Sequence, residues 1–314
     1  MITQNPENKP ASNYDVIIIG AGLGGLSSGL RLQSYGARVA IVERLDRVGG
    51  LCGTYYNDGH EMVIACNDFG LGMEKMLLRL GVNVKFSKPK TKIFYGRKTL
   101  TLPPNLKTLS TLLAHPIDLY RYYRALKKTW KQQDLNMNIE SLVNNNVSNP
   151  KLRDLLKLPA YLMGVSPYAL QVETLHHELD FEYGYWQPTT PIGGPQFMVD
   201  TMAEAFSKYG DIYLSTEFRE VQQNKNAKVV VTDKCTLNTQ HIINAAPQYT
   251  SYPATLKQGL AISTYALVVS NKFQYPENIH TIVHYPPDIS DWFSSLENGT
   301  MPAKFGFHIY CSDL

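Results

Sequence analysis

The sequence predicts an α/β protein built on a parallel nucleotide-binding sheet, with a domain of helices and antiparallel strands inserted into it. Residues 15–19 form a β-branched apolar run that ends at Gly20. Leucines at helical spacing follow over residues 24–35, and a second apolar run covers residues 38–42. A strand, a glycine turn, a helix and a second strand in this order make a βαβ unit, which indicates a Rossmann-like domain.

Composition excludes several classes of protein. The 314 residues are 44% hydrophobic, which is enough for one large core or two modest domains. A formal charge of +3 is too small for a nucleic-acid-binding surface, so we expect no nucleic-acid partner. The cysteines lie far apart and show neither disulfide nor zinc spacing, which fits a reducing cytoplasm and no metal site: Cys52, Cys66, Cys235 and Cys311.

Neither export nor a membrane span is expected. The first thirteen residues are polar and lack the apolar core of a secretory signal. The longest uncharged run, residues 16–30, is shorter than the roughly 20 apolar residues that a spanning helix needs.

The next elements follow in order from turn and periodicity signals. We expect a helix over residues 73–80 and a hairpin from Thr91 that turns at Gly96. Residues 106–132 have a helical pattern, interrupted before Pro116. Ser166 followed by Pro167 predicts the start of a helix that runs to about residue 179.

The sequence from residue 186 onward again predicts helices and strands of an α/β domain. A rigid loop over residues 186–195 leads into a helix over 196–208, and strands are predicted over 211–215, 228–232, 241–244 and 259–270. The predicted domains are a nucleotide-binding domain over 1–84 and 195–250, and a substrate domain over 85–194 and 251–314.

A glycine fingerprint follows the first strand. Gly20, Gly22 and Gly25 satisfy GxGxxG at the opening of a helix. In this pattern the first glycine permits the tight turn, the second lets the backbone approach a pyrophosphate, and the third lets helix and strand pack closely. We therefore expect the amides near Leu23 and Gly24 to face the phosphates of a dinucleotide.

An acidic residue stands at the end of the second strand. Seventeen residues separate Gly25 from Glu43. At that place an exposed carboxylate accepts both hydroxyl hydrogens of the adenosine ribose and disfavours a 2′-phosphate.

Three residues separate Glu43 from a further motif, Arg47-Val48-Gly49-Gly50, which does not belong to the ordinary nicotinamide pattern. With this extension the chain resembles the FAD-dependent amine-oxidase-like superfamily, whose signature joins GxGxxG, the acid and RxGG at these spacings. The resemblance implies a Rossmann-like FAD-binding domain. It places Arg47, Gly49, Gly50 and Leu51 beside the FAD.

Later segments are similar to one branch of that superfamily, the phytoene desaturases, carotenoid isomerases and retinol saturases. They are MGVSPYAL from Met163, GYWQPTTPIGG from Gly184, and the strands from Gly210 onward. By resemblance, the backbone of Phe218 lies at the adenine, and the chain passes the cofactor at Ala246.

The branch implies an FAD-dependent oxidoreductase that desaturates, saturates or isomerises a hydrophobic substrate of isoprenoid or polyene type. No catalytic residue follows from the sequence. Two alternatives stay open: an amine oxidase-type flavoenzyme, and a non-catalytic lipid-binding protein of the same fold.

Two features qualify the resemblance. The segment after Gly59 departs from the family pattern on the substrate side. The family's closing C-terminal strand and flavin-facing helix are not found before Leu314, so either the gene product is incomplete, or a partner chain supplies the missing piece, or the cofactor binds weakly.

The segment 104–132 combines basic and aromatic residues in an amphipathic pattern. Such a surface suits peripheral contact with anionic lipid. A solvated helix face is the alternative interpretation.

Overall fold

The computed structural model of the chain describes residues 13–66, 68–132, 137–224, 227–246, 263–270, 272, 274–276 and 278–310. Cys311, and with it the end of the predicted substrate domain, lies outside these ranges. The predicted division into two domains stays a prediction.

The described chain starts with a βαβ unit and then contains hairpins, a run of helices and a run of strands. In chain order the strands are β1 (Asn13–Ile19), β2 (Val39–Val42), β3 (Thr54–Asn57), β4 (His60–Val63), β5 (Phe86–Ser87), β6 (Lys90–Tyr95), β7 (Lys98–Leu102), β8 (Thr190–Pro191), β9 (Asp211–Tyr213), β10 (Phe218–Asn224), β11 (Ala227–Thr232), β12 (Thr236–Asn244), β13 (Ile279–Tyr285) and β14 (Phe307–Tyr310). The helices are α1 (Leu23–Gln33), α2 (Met73–Arg79), α3 (Leu106–Leu113), α4 (Pro116–Gln132), α5 (Ile139–Asn146), α6 (Pro150–Leu156), α7 (Leu158–Leu162), α8 (Val172–Glu178), α9 (Gly194–Ser207) and α10 (Ile289–Glu297).

The first sheet has the order β10-β11-β12-β1-β2-β9. Strands β12, β1, β2 and β9 are parallel, and β10 and β11 extend the sheet as an antiparallel meander. β1 and β2 read as continuous β-branched runs because the middle of a parallel sheet is covered on both faces. This is the predicted α/β, Rossmann-like architecture.

Two helices cover one face of this sheet. α1 and α9 pack against each other, and Phe206 of α9 lies over Gly29 of α1. A Cβ at residue 29 would come within 2.6 Å of the Phe206 ring, so glycine sets how closely the helices approach. The buried side chains under the two helices form one apolar cluster with the sheet, including Ile18, Leu26 and Met202.

A second sheet has the order β14-β13-β6-β7. β6 and β7 form the predicted hairpin, and β13–β14 is also antiparallel. β13 pairs with β6 in parallel, so the sheet is mixed rather than wholly antiparallel. Its core contains the fully buried side chains of Ile93, Tyr285 and Phe293.

A buried polar network ties the helical region to the second sheet. Lys157 Nζ donates to Glu140 Oε1 at 2.8 Å and to Ser290 Oγ at 2.9 Å. The Asp154 carboxylate accepts the backbone N–H groups of Asp288 and Ile289 at 3.0 and 2.8 Å, which caps the start of α10. Helices α5 to α7 are thereby held to the β13–α10 segment.

Two predictions of secondary structure are wrong. The predicted helix from Ser166 begins instead at Val172, because Ser166 O accepts the N–H groups of Ala169 and Leu170 in a separate turn. The predicted buried strand over 259–270 is not formed in its described part: residues 263–270 carry no strand and are all exposed.

Gly25→Ala tests the approach of α1 to β1. A Cβ there would lie 1.9 Å from Gly20 O, so we expect a loss of at least about 3 kcal/mol in the free energy of unfolding. Gly24→Ala is the matched control, since its Cβ meets no described atom within 4 Å, and it should change stability by less than about 1 kcal/mol. Urea denaturation followed by circular dichroism measures both, and equal effects would contradict the contact.

Lys157→Met tests the buried network. Its side chain is 8% exposed and that of Glu140 is 23% exposed, so removing the ammonium leaves a largely buried carboxylate without its cation. We expect a loss of about 3 kcal/mol. In the exposed pair Lys85–Glu74, Lys85→Met should cost less than about 1 kcal/mol. Similar denaturation midpoints for the two variants would count against the network.

Candidate nucleotide-binding site

The glycine loop between β1 and α1 is closed by backbone contacts. Gly20 has φ +102°, a conformation that L side chains rarely adopt, and a Cβ there would lie 3.1 Å from Ala246 N. The Gly20 carbonyl occupies the place where a side chain of residue 25 would begin. The fold of the loop therefore requires glycine at positions 20 and 25, whether or not a ligand is bound.

The start of α1 faces open space. A Cβ at Gly22 or Gly24 would meet no described atom within 4 Å, in contrast to Gly20 and Gly25. Gly22 is the N-cap, and within the described chain no side chain caps the helix and no acidic residue stands in its first turn. The first amides, including that of the half-buried Leu23, are thus available to an anion at the positive end of the helix dipole.

Glu43 follows β2 and turns back toward this loop. Its Oε2 accepts the Ala21 N–H at 2.7 Å, and its Oε1 accepts the Leu45 N–H at 2.9 Å. The residue is 8% exposed, so the expectation of an exposed side chain is wrong. The two backbone bonds draw the carboxylate inward and leave about two of its four acceptor positions for a ligand.

The Gly49–Gly50 turn lies directly against the glycine loop. Gly49 N donates to Ala21 O at 2.8 Å, and a Cβ at Gly50 would lie 3.4 Å from Gly22 Cα. Both glycines have positive φ, +105° and +58°. The RxGG motif and the GxGxxG motif therefore form one cradle.

Arg47 and Leu51 flank this turn differently. Arg47 Nη1 lies 3.4 Å from both Val48 O and Gly50 O, so its guanidinium turns back over its own loop. Leu51 is 70% exposed.

Phe218 and Ala246 reach the same edge of the sheet from other strands. Thr216 N donates to Glu43 O at 2.8 Å, which places the start of β10 beside Glu43, and the Phe218 side chain packs against the buried cluster around Tyr213. Ala246 lies over Gly20, its N–H bonded to Asn244 Oδ1 at 3.0 Å. The structure thus gathers the sequence-predicted residues at the carboxyl ends of β1, β2 and β12, where ligands bind in open α/β sheets.

Sequence analysis missed Gln196, which joins α9 to the cradle. Its Oε1 accepts the Thr54 N–H at 3.1 Å, and its Nε2 donates to Asp200 Oδ1 at 2.8 Å. The side chain holds the segment after the Gly49–Gly50 turn against α9. A glutamine in a predicted helix gives no sequence signal for this role.

A thiol pair lies behind the turn. Cys52 is buried and Cys66 half-buried, and the β3–β4 hairpin brings their thiols into hydrogen-bond contact. That bond lowers the pKa of Cys66; the same bond and burial raise the pKa of Cys52. Nearby, burial raises the pKa of Asp68 to about 6.

Comparison with known proteins also indicates that the cradle region binds a dinucleotide. Residues 18–72 match the family model of the NAD(P)-binding Rossmann-like domain. The phytoene desaturase of Fusarium fujikuroi is 51% identical over 45 residues, which is 14% of this chain and 8% of that enzyme. An inactive all-trans-retinol 13,14-reductase of Danio rerio is 32% identical over 77 residues, 24% of this chain and 13% of that protein.

Solved structures extend the likeness beyond the cradle. An oxidoreductase from Methanosarcina mazei superposes with a TM-score of 0.60 and 18% identity, covering 74% of this chain and 58% of that one. Putrescine oxidase, in a structure with bound putrescine, gives a TM-score of 0.54 and 20% identity over 76% of this chain and 59% of that one. Residues 18–72 therefore form a Rossmann-like dinucleotide-binding segment. The structural likeness, at such identity, shows the fold.

The matches to curated relatives concern the nucleotide-binding segment. The aligned segments cover only 8% and 13% of the two curated relatives. A soluble pyridine nucleotide transhydrogenase of Sodalis glossinidius matches about as well, 54% identical over 44 residues, or 14% of this chain and 10% of that enzyme. The shared segment therefore identifies a dinucleotide-binding unit.

The thiol pair predicts a pH profile. Because the bond from Cys52 stabilises the Cys66 thiolate, alkylation of Cys66 should become fast below the pH at which an ordinary thiol, of pKa about 8.5, reacts. Cys52→Ala should move the profile to higher pH, whereas Cys235→Ala should leave it in place. Iodoacetamide labelling between pH 5.5 and about 10, read by peptide mass spectrometry, measures this. If Cys52→Ala leaves the pH dependence of Cys66 alkylation unchanged, the interaction between the two thiols is contradicted.

Proposed function

We propose that the chain binds FAD and acts as a flavin-dependent oxidoreductase on a hydrophobic substrate of isoprenoid or polyene type. The observation that carries the proposal is the contact between the Gly49–Gly50 turn and the glycine loop. That turn adds a second backbone wall to the cradle, which the ordinary nicotinamide pattern lacks.

The open side of the cradle fits a dinucleotide. Gly22 and Gly24 leave free the space that any side chain would fill, and the amides of the first turn of α1 would hold the pyrophosphate. Glu43 would accept the ribose hydroxyls with its remaining lone pairs. The Gly49–Gly50 backbone would lie along the nucleotide on its other side.

The cofactor would carry out the redox step, and the chain would bind and orient the cofactor. When bound, FAD supplies the exchange of hydride equivalents with the substrate. Glu43, already fixed by the Ala21 and Leu45 amides, would orient the adenosine end without a change of rotamer. The half-buried Phe218 would border the adenine through its backbone, and Ala246 would close the cradle above Gly20.

The polyene assignment is supported by the relatives. Two proteins with sequence similarity to the cradle are named phytoene desaturase and all-trans-retinol 13,14-reductase, and both names refer to an unsaturated isoprenoid substrate. An amine substrate has support from the fold of putrescine oxidase. The segments from Met163 and Gly184, which are similar to the phytoene desaturase branch, lie outside the cradle and favour the polyene class.

Gly22→Val tests the cofactor. Residue 22 has φ −73° and open space around its Cβ, so valine should fold with little change in melting temperature but occupy the phosphate position. After incubation with FAD and gel filtration, the unsubstituted chain should retain flavin bands between roughly 370 and 450 nm. We expect Gly22→Val to weaken FAD binding at least tenfold. Ser34→Val, at the opposite end of α1, should bind like the unsubstituted chain.

Two outcomes would overturn the proposal. One is tighter binding of NAD than of FAD by the unsubstituted chain, and the other is unchanged FAD affinity in Gly22→Val. The substrate class is decided in the same preparation under anaerobic conditions. Bleaching of the bound flavin by putrescine, but not by a hydrogenated polyene precursor, would replace the polyene assignment by an amine.

A further inference from the structure

An exposed apolar stripe runs along α3 and continues onto α4. Within each helix its members are three or four residues apart, as neighbours on one helix face are. Their exposed fractions range from 40% at Leu109 to 86% at Leu106. The stripe consists of Leu106, Leu109, Leu113, Ile117, Tyr120 and Tyr123.

The stripe is separate from the face that these helices bury. Leu112 of α3 and Leu119, Tyr122 and Leu126 of α4 pack against the cluster formed by α5, α6 and α8. Packing within the chain therefore explains the inner face and leaves the outer apolar face without a covering element among the described residues. A contiguous exposed apolar surface of this kind marks a binding surface.

Cations border the stripe. Tyr120 and Tyr123 line a shallow cleft together with the basic residues Arg124, Lys127, Lys128 and Lys131. The Arg124 guanidinium lies 5.8 Å from the centre of the Tyr120 ring, and Lys127 Nζ lies 6.0 Å from that of Tyr123. Apolar and cationic groups thus share one face.

Negative charge is nearly absent from this segment. Residues 104–131 contain six Lys and Arg residues but one acidic residue, Asp118, whereas the whole chain has a formal charge of +3. Asp118 is buried and accepts the Asn149 N–H at 2.8 Å. The exposed charges of α4 are therefore positive, which selects an anionic partner.

We propose that the α3–α4 face docks on an anionic lipid bilayer. The stripe side chains enter the boundary between headgroups and acyl chains, and the α4 cations contact the lipid phosphates and carboxylates. A bilayer matches both properties, since it offers an apolar layer directly beneath a negatively charged one. Within the described chain no helix is long and apolar enough to cross the bilayer, and the proposed docking requires none. It goes beyond the proposed oxidoreductase function and stands without it.

Vesicle flotation with the full 314-residue chain tests the docking. We expect the chain to float with phosphatidylcholine vesicles that contain about a third phosphatidylserine, and at least tenfold less with pure phosphatidylcholine. High salt should weaken the binding, because the Debye length falls to about 3 Å at 1 M. Binding that is independent of lipid charge would overturn the proposal, as would no flotation at all.

Two sets of variants separate the contributions. Leu113→Ser, Ile117→Ser and Tyr120→Ser together should reduce binding at least tenfold, whereas Tyr209→Ser, 80% exposed elsewhere, should not. Lys127→Glu, Lys128→Glu and Lys131→Glu together should abolish the preference for phosphatidylserine. Lys98→Glu, Lys208→Glu and Lys234→Glu together serve as the matched control.

Circular dichroism of each variant confirms its fold before flotation. Equal loss of binding in the charge variant and its control would show a general charge effect and contradict the assignment to α4. Light scattering that shows a dimer, abolished by the three serine substitutions, would assign the stripe to a second copy of the chain and overturn the lipid proposal.

Discussion

The close approach of α1 to β1 is the constraint on which the nucleotide cradle depends. Because the Gly20 carbonyl fills the place of a residue 25 side chain, the helix begins immediately after the strand. The peptide groups of Ala21 are then fixed from both sides: its N–H by Glu43 and its carbonyl by Gly49. One residue thus connects the end of β2 and the second glycine turn to the first. A larger residue at position 25 would displace all three parts together.

The cradle is made mostly of backbone, and the helical region around Glu140, Asp154 and Lys157 is organised differently. At the cradle, small residues bring peptide groups close together and Glu43 is the acidic side chain that ties them. In the helical region, charged side chains make the connections: Lys157 donates to Ser290 and the Asp154 carboxylate accepts the Ile289 N–H, both partners lying more than a hundred residues later. A backbone cradle presents fixed dipoles to a ligand. In the ionic network the charged groups bond one another instead.

Local interactions made the cradle predictable from the sequence. Gly20, Gly22 and Gly25 lie within six residues and Glu43 follows the next strand, so their spacing placed them. The RxGG motif was placed by its resemblance to the family signature. The burial of Glu43 was not predictable, because it results from the amides of Ala21 and Leu45 turning onto the carboxylate. The start of α8 was misplaced because a Ser-Pro pair initiates a turn as readily as a helix. The Cys52–Cys66 contact and the Gln196 bridge arise across a hairpin and between distant segments, where periodicity carries no information.

The pairing of β13 with β6 has a consequence for synthesis of the chain. Lys90 pairs with Ile279, and in the first sheet Asn13 pairs with Asn238, so each sheet contains neighbours made far apart in time on the ribosome. The βαβ unit can close early, but β6 must wait for β13, and the carboxylate of Asp154 waits for the α10 amides that it caps. During translation the nascent chain therefore exposes open strand edges, the kind of intermediate that chaperones bind, and the Asp154 carboxylate lacks its amide partners.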